Sequence, residues 1–231
     1  MIRIHDRDIR GKTKTGWLDS KHTFSFGDFR DPTRMGFRSL RVINDDVVIP
    51  GAGFDTHPHS DMEIITYILK GELAHKDSLG TGSTIRPGEV QRMSAGTGIF
   101  HSEFNPSNDN PVHLLQIWIR PEKRGLAPSY EQKPFVAKEG VFTLLGDRRG
   151  TDGAITIHQD VKLLVAALHD EQDASYTFDK GRGGFLHVAK GWISLNGEDL
   201  KEGDGAEITD VDTITLHAKA DGAEVLLFDL A

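Results

Sequence analysis

The chain of 231 residues has no cysteine. That absence excludes disulfides, thiolate metal sites and cysteine nucleophiles, so any metal must be held by nitrogen and oxygen. A basic surplus is also missing. With 27 Lys and Arg against 35 Asp and Glu, the formal charge is −8. This argues against direct nucleic-acid binding, which usually shows as a basic face, and leaves a basic protein as the charged partner that would suit it. No segment approaches the roughly eighteen consecutive apolar residues of a membrane span. The opening MIRIHDRDIRGK lacks the apolar stretch of a signal peptide. A cytoplasmic protein without membrane contact is the expectation. Aromatic residues are sparse at 8%, within 37% hydrophobic residues, but a chain of this length can still bury one large core or two small ones.

Helical periodicity is lacking too: no long stretch sustains an i, i+3, i+4 apolar stripe. Strand signals take its place. HTFSF (22–26), LRVINDDVV (40–48), EIITYIL (63–69), HLLQIWI (113–119), VFTLL (141–145), KLLVAAL (162–168), FLHVA (185–189), DTITLHA (212–218) and EVLLFDL (224–230) are short and rich in β-branched or aromatic residues. Gly, Pro, Asn and Asp clusters separate them. Short helical turns are allowed for near 130–138. The reading is all-β, with antiparallel strands closing into barrels or jelly rolls.

An internal repeat divides the chain. YILKGE, IRPGEVQRM and IFHSE in the first half correspond to HVAKGW, LKEGDGAEI and TLHAK in the second. Gly71 matches Gly191, Gly88 matches Gly203, and His101 falls near His217. Two similar β-barrel domains are expected, 1–130 and 131–231, joined through RPEKRGLAPSYEQKP. The same alignment places Thr177 and Asp179 where the first half has His57 and His59, and Lys219 where it has Glu103. Lysine is a poor ligand, so the first copy keeps candidate ligands that the second has lost.

Those candidates begin with THPHSDME, residues 56–63. Alternate residues of a strand share a face, so His57 and His59 aim two imidazoles at one point. Pro58 between them cannot donate to a ladder, which places the segment at an edge. In SAGTGIFHSEFN (94–105), His101 and Glu103 repeat the spacing. Facing across a small barrel, the two strands would gather three imidazoles and one carboxylate. Fe, Mn, Co, Ni, Cu and Zn all suit such a set. Glu63 is also two-periodic with His57 and His59, and spacing alone leaves it level with Glu103.

The patterns G-x5-H-x-H-x3-E (Gly51 to Glu63) and G-x12-H-x3-N (Gly88 to Asn105) resemble the two histidine motifs of the cupin superfamily. THPHSDMEIITYILKGE, MSAGTGIFHSE and LLQIWI resemble the pirin family within it. GWLDSKHTFSFGDF, MGFRSLRVINDD and EVLLFDL are similar to bacterial pirins described as quercetin 2,3-dioxygenases. The resemblance implies a bicupin with an iron site, Fe(II), in the N-terminal domain only, held by His57, His59, His101 and Glu103. It thereby ranks Glu103 above Glu63, which is left the role of holding a ligating imidazole. It implies an enzyme cleaving a flavonol with O₂, Glu103 being its catalytic base. The alternatives are a metal- or redox-responsive regulatory protein that binds a protein partner, or another small-molecule cupin enzyme. Phe24, Phe26, Phe54, Met62 and Ile99 are the expected apolar walls. Gln116 is either a cavity residue or structural. His75 and His113 are candidates for the rim, whereas His5, His22, His158, His169 and His187 are read as structural.

Overall fold

A computed structural model describes residues 1–231. Strands are the dominant element, and two 3₁₀ turns, Arg7–Ile9 and Thr151–Gly153, are the only helical pieces. No helix is long and apolar enough to cross a membrane. The segment near 130–138, where helical turns were allowed for, forms the strand Ser129–Pro134. HTFSF is displaced as well: the strand is Leu18–His22, and only His22 of that motif belongs to it. LRVINDDVV is a strand with the expected bounds, Leu40–Val48.

The chain forms two compact units, each assembled from separate segments of the sequence. One comprises Gly11–Phe135 with Arg149–Gln159; the other comprises Met1–Arg10, Val136–Arg148 and Asp160–Ala231. The first residues belong with the second unit because Ile2–His5 adds an antiparallel strand to Gly205–Ile208.

The first unit has two antiparallel sheets. One runs, in spatial order, Ser129–Pro134, Glu89–Ser94, Glu63–Lys70, Val112–Ile119, Leu40–Val48, Leu18–His22, Gly11–Lys14. The other runs Gly53–His59, Ile99–Phe104, Leu73–Asp77, Gly82–Ile85. EIITYILK, buried at every position but the last, is central in the larger sheet. Gly53–His59 is an edge strand, where Pro58 is tolerated. The apolar core is split. One cluster gathers Leu18, Val48, Ile68, Leu73, Ile85, Val112 and Leu114. A smaller one gathers Ile64, Met93, Ala95 and Ile99. Members of both border a polar cavity.

The second unit also builds antiparallel strands around a large apolar cluster. Its central strands, Gly183–Leu195 and Thr213–Leu230, pair with each other, and Val161–Leu168 flanks the latter. The matched glycines share conformation: Gly71 and Gly191 both have φ +80°, and Gly88 and Gly203 have +84° and +89°. A Cβ on Gly71 would meet the backbone at Pro111–Val112, and one on Gly191 the backbone at Gly222–Ala223. Only glycine suits such a turn.

Strand register then fixes the remaining correspondence, and it corrects the alignment by motif. His101 lies opposite His57, and Glu103 opposite His75. In the second unit Ile214 lies opposite Tyr176, and Leu216 opposite Leu195. His57, His59, His101 and Glu103 therefore correspond to Tyr176, Phe178, Ile214 and Leu216, not to Thr177, Asp179, His217 and Lys219. Thr177 and Asp179 are exposed, one residue out of step, and a one-residue slip turns a strand side chain to the opposite face. The pair Gln116–Thr66 corresponds to Leu227–Leu186, and Asn44 and Asp46 to Leu164 and Ala166. All of these second-unit residues lie in or against its apolar cluster. One barrel is filled with hydrocarbon at the positions where the other carries polar groups.

Candidate metal centre

His57 and His59 project from the edge strand Gly53–His59, and His101 and Glu103 from its neighbour Ile99–Phe104. The three rings meet. Centroids are 4.8 Å apart for His57–His59, 4.4 Å for His57–His101 and 5.0 Å for His59–His101. One ring nitrogen from each lies within 4.8 Å of the others. Glu103 falls in a second group, in which a carboxylate oxygen, a nitrogen of His101 and one of His75 lie within the same 4.8 Å limit. The structure thus joins His57, His59 and His101 in one cluster, and Glu103 adjoins it through His101.

Second contacts orient them. His57 Nδ1–H donates to the carbonyl of Asp55 at 2.7 Å, leaving Nε2 as the nitrogen with a free lone pair. Glu103 is 2% exposed. Gln116 Nε2 donates to its Oε2 at 2.9 Å, and the Thr66 hydroxyl to its Oε1 at 3.4 Å. Both come from the larger sheet, so these bonds tie the two sheets together beneath the cluster. Gln116 is therefore a cavity residue.

The electrostatics keep His59 and His101 neutral. Burial, followed by repulsion from His57, pushes His59 down to about 4. Burial, then His57, His59 and His75, push His101 down to about 2. Neutral imidazole is the form that ligates metal. Burial pushes Glu103 up to about 7 against the opposing pull of Gln116 and Thr66. His101 is 2% exposed, yet neither of its ring nitrogens has a hydrogen-bond partner. Buried polar atoms are seldom left so. A cation among the three rings would satisfy one of those nitrogens, and the nitrogen and oxygen donors fit a borderline divalent ion.

Glu63 lies elsewhere. Its Oε2 accepts from Ser94 Oγ at 3.0 Å and from the His158 backbone N–H at 3.1 Å, and lies 3.1 Å from His158 Nδ1. It holds the 149–159 segment through His158, and not a candidate ligand as expected. His75 is buried and, contrary to its place as a rim candidate, does not line the cavity. Its Nε2 is 3.1 Å from Asp77 Oδ2, and its ring centroid is 5.4 Å from that of His101. His113 pairs with Asp45 at 2.6 Å and does not line the cavity.

The cavity itself has a volume of about 460 Å³, in the usual range for small-molecule sites. Phe26 and Phe54 line it as expected. Phe24, Met62 and Ile99 do not: Phe24 is buried, while Met62 and Ile99 belong to the adjoining cluster. Trp17, Leu18, Ile64 and Trp118 are the other apolar walls. Thr13, Ser20, His22, Asn44 and Asp46 add a polar wall that sequence reasoning missed. Its signal was present: Ser20 and His22, and Asn44 and Asp46, sit on buried alternate positions of their strands, where apolar residues normally stand.

Fold and site define a two-barrel cupin in which one barrel is polar and carries a histidine cluster. The pirin family profile matches residues 4–119, and a profile described as the quercetinase C-terminal cupin domain matches residues 144–230. A protein of Escherichia coli K12 named quercetin 2,3-dioxygenase is 48% identical over 231 residues, covering 100% of this chain and 99% of its own. A pirin-like protein of Caulobacter vibrioides is 42% identical over 234 residues, with 100% of both chains covered. The crystal structure of the bacterial pirin YhhW from Escherichia coli in complex with nickel(II) matches with a TM-score of 0.95 at 46% identity, covering 100% of this chain and 99% of that one. This chain belongs to the pirin family.

Proposed function

We propose that this protein is a metal-dependent dioxygenase that cleaves a flavonol such as quercetin, with His57, His59, His101 and Glu103 as the metal ligands. Iron(II) is the ion assigned on the family pattern, and Mn, Co, Ni, Cu and Zn are admissible to the same donors. The observation that carries this reading is the clustering of His57, His59 and His101, with Glu103 next to His101, on an aromatic-walled cavity, both nitrogens of the buried His101 lacking partners. The names of the full-length relatives supply the substrate class.

A bound divalent metal supplies a Lewis acid that acidifies a coordinated hydroxyl, and the redox chemistry that O₂ requires. The chain's own residues do the rest. Trp118 stands edge-on to His59 at 5.0 Å and to Phe26 at 5.4 Å, and Trp17 stands edge-on to Phe54 at 5.1 Å. These rings offer flat apolar faces to a planar substrate and exclude water around it. Glu103, poised near neutrality, takes the hydroxyl proton as general base. Gln116 and Thr66 hold its two oxygens while it does so.

Oxygen-electrode measurements with quercetin test this reading. His57→Ala and His101→Ala should each lose both bound metal and oxygen uptake. Full turnover by metal-free protein would refute it.

A further inference from the structure

The polar wall of the cavity has no part in the chemistry above, and its construction is unusual. Asp46 is 3% exposed and its Oδ1 has no hydrogen-bond partner. The Ser20 hydroxyl serves its carboxyl. Asn44 sits two residues earlier on the same face, about 7 Å along the strand. Its Oδ1 lies 2.8 Å from His22 Nδ1, and His22 Nε2 lies 2.9 Å from Thr13 Oγ1. The arrangement is satisfied when His22 Nδ1–H donates to Asn44 and Thr13 donates to His22. The Asn44 amide N–H groups are then left for the cavity. A lone acceptor and a pair of donors thus stand side by side.

The fold does not require them. At the same register the second barrel has Leu164 and Ala166, packed in its core. A buried carboxyl with an unserved oxygen is destabilising unless something supplies a donor. Resting on the flavonol reading, we propose that Asn44 and Asp46 form a second anchor for the substrate. A hydroxyl outside the oxygen pair directed at the metal centre donates to Asp46 Oδ1 and accepts from Asn44 Nδ2.

The geometry sets the ligand class. Gln116, which holds Glu103, is directly opposite Asn44 in the sheet. Asp46 is its diagonal neighbour, about 7–8 Å away. A planar aromatic with hydroxyls at both ends can span that distance. A carboxylate at the far end is disfavoured, because it would face Asp46 with Glu103 beyond.

The test compares quercetin with 3-hydroxyflavone, which keeps the chelating oxygens but lacks the outlying hydroxyls. Affinity is read from quenching of tryptophan fluorescence, in metal-loaded and in metal-free protein, for wild type, D46A and N44L. D46A and N44L install the residue types found at these positions in the second barrel. Wild type should prefer quercetin by roughly tenfold, the worth of one buried hydrogen bond. D46A and N44L should bring the ratio close to one with and without metal. D46N, which keeps the side-chain shape, should reduce it partway and serves if D46A does not fold. Equal wild-type affinity for the two flavonols, or a ratio unchanged in variants that melt cooperatively, overturns the second anchor and leaves the flavonol reading standing. Binding of neither flavonol by wild type overturns both.

Discussion

Gln116→Leu probes the support beneath the metal centre. It installs the residue type that the second barrel carries at the matching position, Leu227, so the fold can accept it. Gln116 is 7% and Glu103 2% exposed, and they are joined at 2.9 Å. After the substitution only the Thr66 hydroxyl, at 3.4 Å, holds the Glu103 carboxyl. A hydrogen bond to a charged group contributes about 1.5–3 kcal/mol. Its loss disfavours ionised Glu103, whose carboxyl already lies near 7, and pushes its pKa further up. Removing a contact that holds a ligand weakens metal binding about 10–100-fold. Competition with a chelator for Ni(II) at pH 7 would measure this. The metal-free variant should still melt cooperatively but somewhat lower than wild type, because the buried Glu103 oxygen loses its closest donor. An unchanged Ni(II) affinity in a cooperatively folded variant would refute the role given to this bond.

The turn glycines and the polar wall give further tests. Gly191→Ala places a Cβ 2.2 Å from the carbonyl oxygen of Gly222 at φ +80°, whereas Gly80→Ala, at +89°, meets nothing within 4 Å. Gly80→Ala should cost about 1–2 kcal/mol for its left-handed backbone alone, and Gly191→Ala clearly more; equal urea midpoints would contradict this. Asp46, at about 7 when folded against 3.8 as its ordinary value, holds a proton in the folded state that the unfolded chain releases. Its stabilising contribution is therefore full below about pH 4 and is lost as pH rises through 7, with a ceiling of about 4 kcal/mol. Metal-free Asp46→Asn should lose less melting temperature than wild type between pH 5 and pH 8, and parallel profiles would show that Asp46 is not the titrating group.

H-x-H and H-x-E were legible because strand periodicity is two: residues two apart share a face whatever the rest of the barrel does. Glu63 obeys the same count from His59, yet Ser60–Met62 form a turn in which Asp61 has φ 48°. Beyond it Glu63 opens a strand of the other sheet. Counting through a turn carried no information about direction. The repeat was legible from its glycines, whose positive φ is a backbone demand. Its register was not, because the connections differ in length. The first barrel reaches Val112 from Phe104 through an ordered loop, with Asn105 bonded to Val48 and Asn110, whereas the second turns tightly at Ala220–Gly222. Matching His217 to His101 by residue type therefore missed the inward face. The polar wall escaped notice for another reason. Serine, asparagine and aspartate in a strand read as surface residues until partner strands show which face is buried.

Anomalous diffraction from crystals of Ni(II)- or Fe(II)-loaded protein would test the central claim most directly. One ion per chain should lie among His57, His59, His101 and Glu103, with none in the second barrel, where Tyr176, Phe178, Ile214 and Leu216 fill the matching positions. An ion held through Glu63 and His158, or one seated in the second barrel, would contradict it.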